Sequence, residues 1–308
     1  MRRIVTIAAL LLLFVVDVRG QECRGEQSLP KEECVTNDWV RQEYDFGRYL
    51  VGKGLLRDAS TLVSGHEGLI TTHHYATPSL DSLHYLKGIV DYHSKRFDQA
   101  IRSFDKVTAT SPTYAGSSFY GSVCHLLAGD TEGARQRLNI FSQSPSAAHH
   151  KQLLALHRGG IALLEGDREE YGRQQSLFDY SHPIVANHQR ELDRVAAGPP
   201  RQPKAWVAGV ASAIVPGLGQ IYAGQVSEGV ASFMAVGAFA ALTATSWAKA
   251  ESPANPRTII YGSIASLLYV SNIFGSVASV KVYYQNFEEI NREAVMYSIH
   301  IPLRELFD

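Results

Sequence analysis

Charge is scarce in this sequence, and the shortage is local. Asp, Glu, Lys and Arg make up 19% of its 308 residues, below the roughly 25% of ordinary soluble domains. Residues 40–200 are rich in charged and histidine side chains, whereas residues 205–248 carry Glu228 alone and residues 258–280 carry none. One water-soluble part and one lipid-facing part are therefore expected. With a net charge of −1, a broad nucleic-acid footprint is not. Cysteine is equally sparse. Cys23, Cys34 and Cys124 lack the spacing of a zinc motif. No H-E-x-x-H, no G-x-S-x-G and no Walker loop occurs, so no catalytic residue is nominated, and no enzyme, cofactor or metal is expected.

Histidine is present in number, 12 in all, without a ligand geometry. The adjacent pairs His73-His74 and His149-His150 point about 100° apart on a helix. His84 shares a face with Gly88, but no second ligand completes a set there.

The N-terminus opens Met-Arg-Arg, runs through apolar residues 4–16, and reaches Gly20 after Asp17. A charged start, a short apolar run and a small-residue exit define a secretory signal, with cleavage expected near Gly20. About 13 apolar residues are too few to span a bilayer core. Past that point Cys23 and Cys34 can pair in an oxidising compartment, while Cys124 sits among apolar residues and is expected as a buried thiol.

The middle of the chain repeats itself. Gly88, Phe97, Ala100, Phe104 and Pro112 are spaced so that Gly88 admits close helix contact, Phe97, Ala100 and Phe104 line a second helix, and Pro112 ends the unit. Gly129-Asp130 with Ala134 and Leu138, and Gly166-Asp167 with Tyr171, echo the pattern. Gly47, Gly54, Ala59 and Leu62 form an irregular earlier copy. Over residues 38–180 the chain resembles the tetratricopeptide repeat, a helix-turn-helix unit of about 34 residues. The resemblance implies stacked helix pairs with a concave surface that holds a protein or peptide partner.

After a Pro-rich break at 196–204, three apolar segments follow, at 206–223, 229–248 and 258–280. The last exceeds the length of a membrane span and the second just reaches it. Small residues spaced by four, Ala205, Gly209, Ala213 and Gly217, then Ser271, Gly275 and Ser279, mark faces suited to close helix packing or self-association in lipid. Trp206, Tyr222, Trp247 and Tyr283 fall near segment ends, as interfacial aromatics do. The first segment breaks at Pro216, Gly217, Leu218, Gly219, Gln220, Ile221, Tyr222, Ala223 and Gly224. This P-G-x-G-Q-x-Y-x-G run resembles the signature of small bacterial membrane domains related to the two-transmembrane-helix family. The resemblance implies a turn between apolar helices, in which Gln220 and Tyr222 satisfy backbone groups freed by the break.

The chain is thus expected to be all-α: a signal peptide at 1–20, an N-terminal segment at 21–37, a tetratricopeptide-like α-solenoid at 38–195, a linker at 196–204, a membrane domain of two or three spans at 205–285, and an amphipathic tail at 286–308. Lys281, Arg292 and Arg304 favour a cytoplasmic tail and hence three spans, with the tail helix lying on the membrane surface. The expected role is an envelope scaffold in the bacterial inner membrane whose exported repeats bind a protein partner. The alternative is an accessory of membrane transport or envelope assembly in which the membrane domain is the working part.

Overall fold

A computed structural model describes residues 31–70, 77–249 and 255–307, with side chains described over 39–65, 80–249 and 255–307. The signal peptide, Cys23 and the side chain of Cys34 lie outside the described residues, and so does their pairing. Among the described residues every regular element is helical and none is a strand. The chain divides into two compact units, Met1–His149 with Phe307–Asp308, and His150–Leu306. The division falls within the span 38–195 expected for the repeats.

The first unit holds α1 (Lys31–Gly52), α2 (Leu56–Ile70), α3 (Thr77–His93), α4 (Phe97–Phe104), α5 (Tyr114–Leu127) and α6 (Thr131–Ser142). Each packs on the next, and α1 also packs on α3 and α3 on α5. Leu50, Ala59, Val63, Leu86 and Val90 form one buried cluster. Phe104, Phe119, Tyr120 and Phe141 are fully buried further along. Gly88 is small because the Phe104 ring occupies the place of a side chain there.

One device closes α1, α3 and α5. The second residue past each helix is left-handed: Gly54 at φ 72°, Lys95 at 60° and Gly129 at 84°. The next amide returns to a carbonyl five residues back, Leu55 to Leu50, Arg96 to Asp91 and Asp130 to His125, at 2.8–2.9 Å. This is the Schellman closure, which satisfies carbonyls the helix end would otherwise orphan. Asp130 then caps α6 by accepting from the Gly133 amide at 2.8 Å.

The second unit begins with α7 (Lys151–Glu165), α8 (Arg168–Gln175) and α9 (Ala186–Ala196). The same turn recurs between α7 and α8: Gly166 has φ 76°, the Asp167 amide donates to Ala162 at 2.8 Å, and the Asp167 carboxylate caps the Glu170 amide at 2.9 Å. Asp193 on α9 accepts from Tyr171 at 2.6 Å, Gln175 at 2.7 Å and Tyr180 at 2.8 Å. Burial, and then this hydrogen bond, raise the Tyr171 phenol well above its ordinary range.

Then come α10 (Ala205–Ile214), α11 (Leu218–Tyr222), α12 (Val226–Ala248) and α13 (Pro256–Phe307). Only α12 and α13, among the described helices, are long and apolar enough to cross a membrane. At 1.5 Å per residue the 23 residues of α12 reach about 34 Å, against a bilayer core of about 30 Å. The ten residues of α10 reach about 15 Å. Large apolar side chains stand outward on both long helices, with Met234 67%, Leu267 69% and Phe274 71% exposed.

Residues 286–307 continue α13, which runs unbroken for 52 residues. Beyond the uncharged stretch its apolar positions Val295, Ile299 and Leu303 are buried. Gly160 on α7 has no room for a side chain because Ile299 fills that space. Spacing of four puts these three on one stripe, and α7 supplies the apolar surface that a membrane was expected to supply.

Candidate functional site

The richest concentration of buried polar contacts in the apolar part surrounds the turn between α10 and α11. Val215 is extended, at φ −132° and ψ 117°, as the residue before a proline should be, and Pro216 stops the helix. Gly217 follows at φ 89°. A side chain on Gly217 would strike the Gly229 carbonyl, and one on Gly219 would strike the Ala208 carbonyl. The three backbones meet here at a separation only glycine permits.

The amides exposed by the break are taken by side chains from elsewhere in the chain. Asn272 Oδ1 on α13 accepts from the Gly217 amide at 3.1 Å, and Ser212 Oγ on α10 accepts from the Gly219 amide at 2.9 Å. Ser212 is also hydrogen-bonded to Ser276. Because Ser276 spends its single proton on the Asn272 carbonyl at 2.8 Å, Ser212 is the donor to Ser276. Ser212 and Ser276 are 0% exposed and Asn272 5%. Tyr269 donates to the Ala213 carbonyl, while Tyr283 and Tyr284 donate to the carbonyls of Arg201 at 3.2 Å and Pro203 at 3.4 Å. Tyr269, Asn272, Ser276 and Tyr283 are three, four and seven residues apart, so one stripe of α13 clasps the turn and the linker together.

Of the signature residues, Gly217, Gly219 and Gln220 are buried, Pro216 is half-buried, and Tyr222 and Gly224 are exposed. The Tyr222 hydroxyl accepts from the Lys204 amide at 3.1 Å. Gly224, at φ 91°, ends α11 with a Gln225 amide to Gln220 carbonyl bond of 2.8 Å, the closure already met at Gly166. The Gln220 amide nitrogen lies beside Gly275. Gln220 Oε1 and Asn272 Nδ2 find no partner among the described residues, leaving one buried acceptor and one buried donor. The clasp is built of amides and hydroxyls, groups that bind and hold by hydrogen bonding.

Of the small-residue faces the spacing suggested, Gly209, Gly217 and Ser279 are buried and Gly275 is half-buried, while Ala205, Ala213 and Ser271 are exposed. The packed surface also takes in Ala208 and Ser212 on α10 and Asn272 and Ser276 on α13. Ser212, Asn272 and Ser276 went unnoticed in the sequence. An amide in an uncharged 23-residue stretch was the available signal, since polar groups at membrane depth need partners. In the first unit Gly88, Ala100 and Phe104 are buried, Phe97 is half-buried against Tyr92 with ring centroids 6.3 Å apart, and Pro112 is exposed ahead of α5.

Elsewhere the reactive side chains are quiet. Cys124 is a buried free thiol, pushed up to about 12 by burial, which suppresses the thiolate. His157 is fully buried and burial lowers it to about 3, with the Ile299 backbone opposing the shift and His300 adding to it. Among the described residues no three His, Cys, Asp or Glu side chains gather to hold a metal. No protein-family model, curated protein or solved structure matches this chain.

Proposed function

We propose that this chain is a membrane-anchored scaffold of a bacterial envelope, whose helix pairs stack as a tetratricopeptide-like solenoid and bind a protein or peptide partner. The recurrence of one turn, at Gly54, Lys95, Gly129 and Gly166, carries this reading. Four helix pairs closed alike are what a repeat array requires, since no pair buries its apolar face alone.

In this reading α12 crosses the bilayer away from the repeat side and α13 returns, while α10 and α11 enter and turn back at Pro216. Two spans then put the tail on the same side as α7, in keeping with the Gly160–Ile299 contact. The signal-like N-terminus supports an exported face and an inner-membrane address. Arg201, Lys204 and Lys281 on that same face pull the other way, so the side is the first quantity to measure. In a cysteine-free background, Lys249→Cys and Glu305→Cys should label from opposite sides of the membrane in intact cells. Labelling from the same side would overturn two spans. A photo-crosslinker at Phe46, which is 50% exposed beside Tyr49, should trap a partner that is lost when residues 38–180 are deleted. No adduct at Phe46 or at other exposed positions of the first unit would sink the scaffold reading.

The unpartnered Gln220 Oε1 and Asn272 Nδ2 favour a second reading, in which the membrane domain is the working part of a transport or assembly accessory. Gln220→Met separates the two. Loss of function in a fully inserted protein would favour the second.

A further inference from the structure

The second unit contains a cleft of about 760 Å³ where the first turns of the tail pass the α7–α8 turn and the end of α9. Its floor is apolar, built by Leu163, Leu164, Val195, Pro199 and Phe287, and its rim carries Arg168, Arg292, Glu165, Glu288 and Glu289. Arg168, Arg292, Glu288 and Glu289 form no ion pair with another described residue; the ion pairs of α8 belong to Arg173. Charged side chains of both signs are therefore held around an apolar hollow without being committed to one another.

The hollow also has a definite depth. The uncharged stretch of α13 ends at Val280 and Lys281 follows, with Tyr283 and Tyr284 bonded to the linker as interfacial aromatics. Phe287 and Glu288 come three and four residues after Tyr284, about 5–6 Å further along the helix, and Arg292 about 12 Å along, with its long side chain directed back toward the N-terminal end of the helix. The polar layer of a bilayer leaflet is about 5–8 Å thick. If α13 spans, the reading on which this inference rests, the cleft opens at the level of lipid headgroups.

We propose that this cleft binds the headgroup of a zwitterionic phospholipid of the ethanolamine type. The phosphate meets Arg168 and Arg292, the ammonium meets Glu288 and Glu289, and the glycerol end of the acyl chains lies on the Leu163–Phe287 floor. An anionic headgroup would satisfy the arginines but bring its charge against the two glutamates. A choline headgroup has no N–H to donate to them.

Native mass spectrometry of the full-length protein in detergent, offered phosphatidylethanolamine, phosphatidylglycerol or phosphatidylcholine, tests this directly. Retention of the ethanolamine lipid should exceed the other two, and Arg168→Gln with Arg292→Gln should cut it about tenfold, the equivalent of two weakened charge-assisted contacts. Glu288→Gln with Glu289→Gln should erase the preference over choline and raise retention of the glycerol lipid. All four residues are exposed, so these variants keep the fold. Equal retention of the three lipids, a wild-type preference for the anionic one, or indifference to both double variants would overturn the proposal. Alkaline extraction of the reconstituted protein separates this from failure of the membrane reading. A protein that stays in the vesicles yet shows no headgroup preference refutes the cleft alone, and one that washes off refutes the span beneath it.

Discussion

The turn after α7 and the turn before α11 begin alike and are finished differently. Gly166 and Gly217 are both left-handed, at φ 76° and 89°, and each precedes a helix with orphan amides. At α8 the cap is local: Asp167 takes the Glu170 amide three residues on, in reach of water. At α11 the caps are remote. Asn272 lies 55 residues away from Gly217, and Ser212 seven from Gly219, both buried. A helix pair in water carries its own cap and can form before its neighbours. The apolar turn is buried away from water, so its Gly217 amide waits for α13. The difference is one of solvent, and it predicts which region tolerates local damage.

The largest effect should come from testing that tolerance at the two glycines. A side chain at Gly166 meets nothing within 4 Å, whereas one at Gly217 meets the Gly229 backbone. Gly166→Ala bears only the left-handed strain, about 1–2 kcal/mol. Gly217→Ala adds an overlap no rotamer relieves, for a total of at least about 3 kcal/mol. Limited proteolysis of the detergent-purified variants should find Gly166→Ala near wild type and Gly217→Ala cleaved in the 215–230 region. Equal sensitivity would mean that the clasp is not packed as described.

The contrast also explains what could be read from sequence. Asp130 and Asp167 were legible because a local cap sits next to the glycine it serves, and the signature run was legible because its glycines cluster. The clasp was not. Asn272 and Ser276 act on residues more than 50 positions away, and spacing alone cannot say which of two adjacent stripes of α13 faces the turn. Ser271, Gly275, Ser279 and Tyr283 form one series spaced by four, Asn272 and Ser276 belong to the series one residue out of register, and each series has buried members. The packing of the tail was hidden for a similar reason. Its apolar stripe was visible, but whether lipid or α7 covers such a stripe is a tertiary fact, decided by Gly160 leaving space for Ile299.

A second test asks whether the docked tail depends on solvent as the caps do. His157, beside Ile299, stays neutral in the folded chain down to about pH 3 because burial disfavours its cation. Unfolded, it takes up a proton near its ordinary value of about 6.5. Between those values the unfolded state binds more protons, so stability rises with pH there and drains away as pH falls below 6.5. At pH 5 the loss is about 2 kcal/mol. Hydrogen exchange at residues 295–303 should accelerate from pH 7 to pH 5, after correction for intrinsic rates, and His157→Leu should flatten that dependence. A wild-type tail indifferent to pH in this window would show that His157 does not guard the contact.

The smallest effect belongs to the local cap itself. Asp167→Ala removes the acceptor of the Glu170 amide, and loss of an N-cap costs about 1 kcal/mol. Water reaches the freed amide, so the damage should stay within α8 and appear as faster exchange at residues 168–171 with little change elsewhere. Asn272→Leu is its counterpart in the apolar turn. There the Gly217 amide is left buried without an acceptor, at about 1–3 kcal/mol, and the protection lost should extend across α10, α11 and the start of α12, because these share the one clasp. A local response to both substitutions would mean that α11 is held by its own turn and not by α13. A distributed response to Asn272→Leu alone ties the stability of the broken helix to the presence of a helix that closes over it 55 residues later.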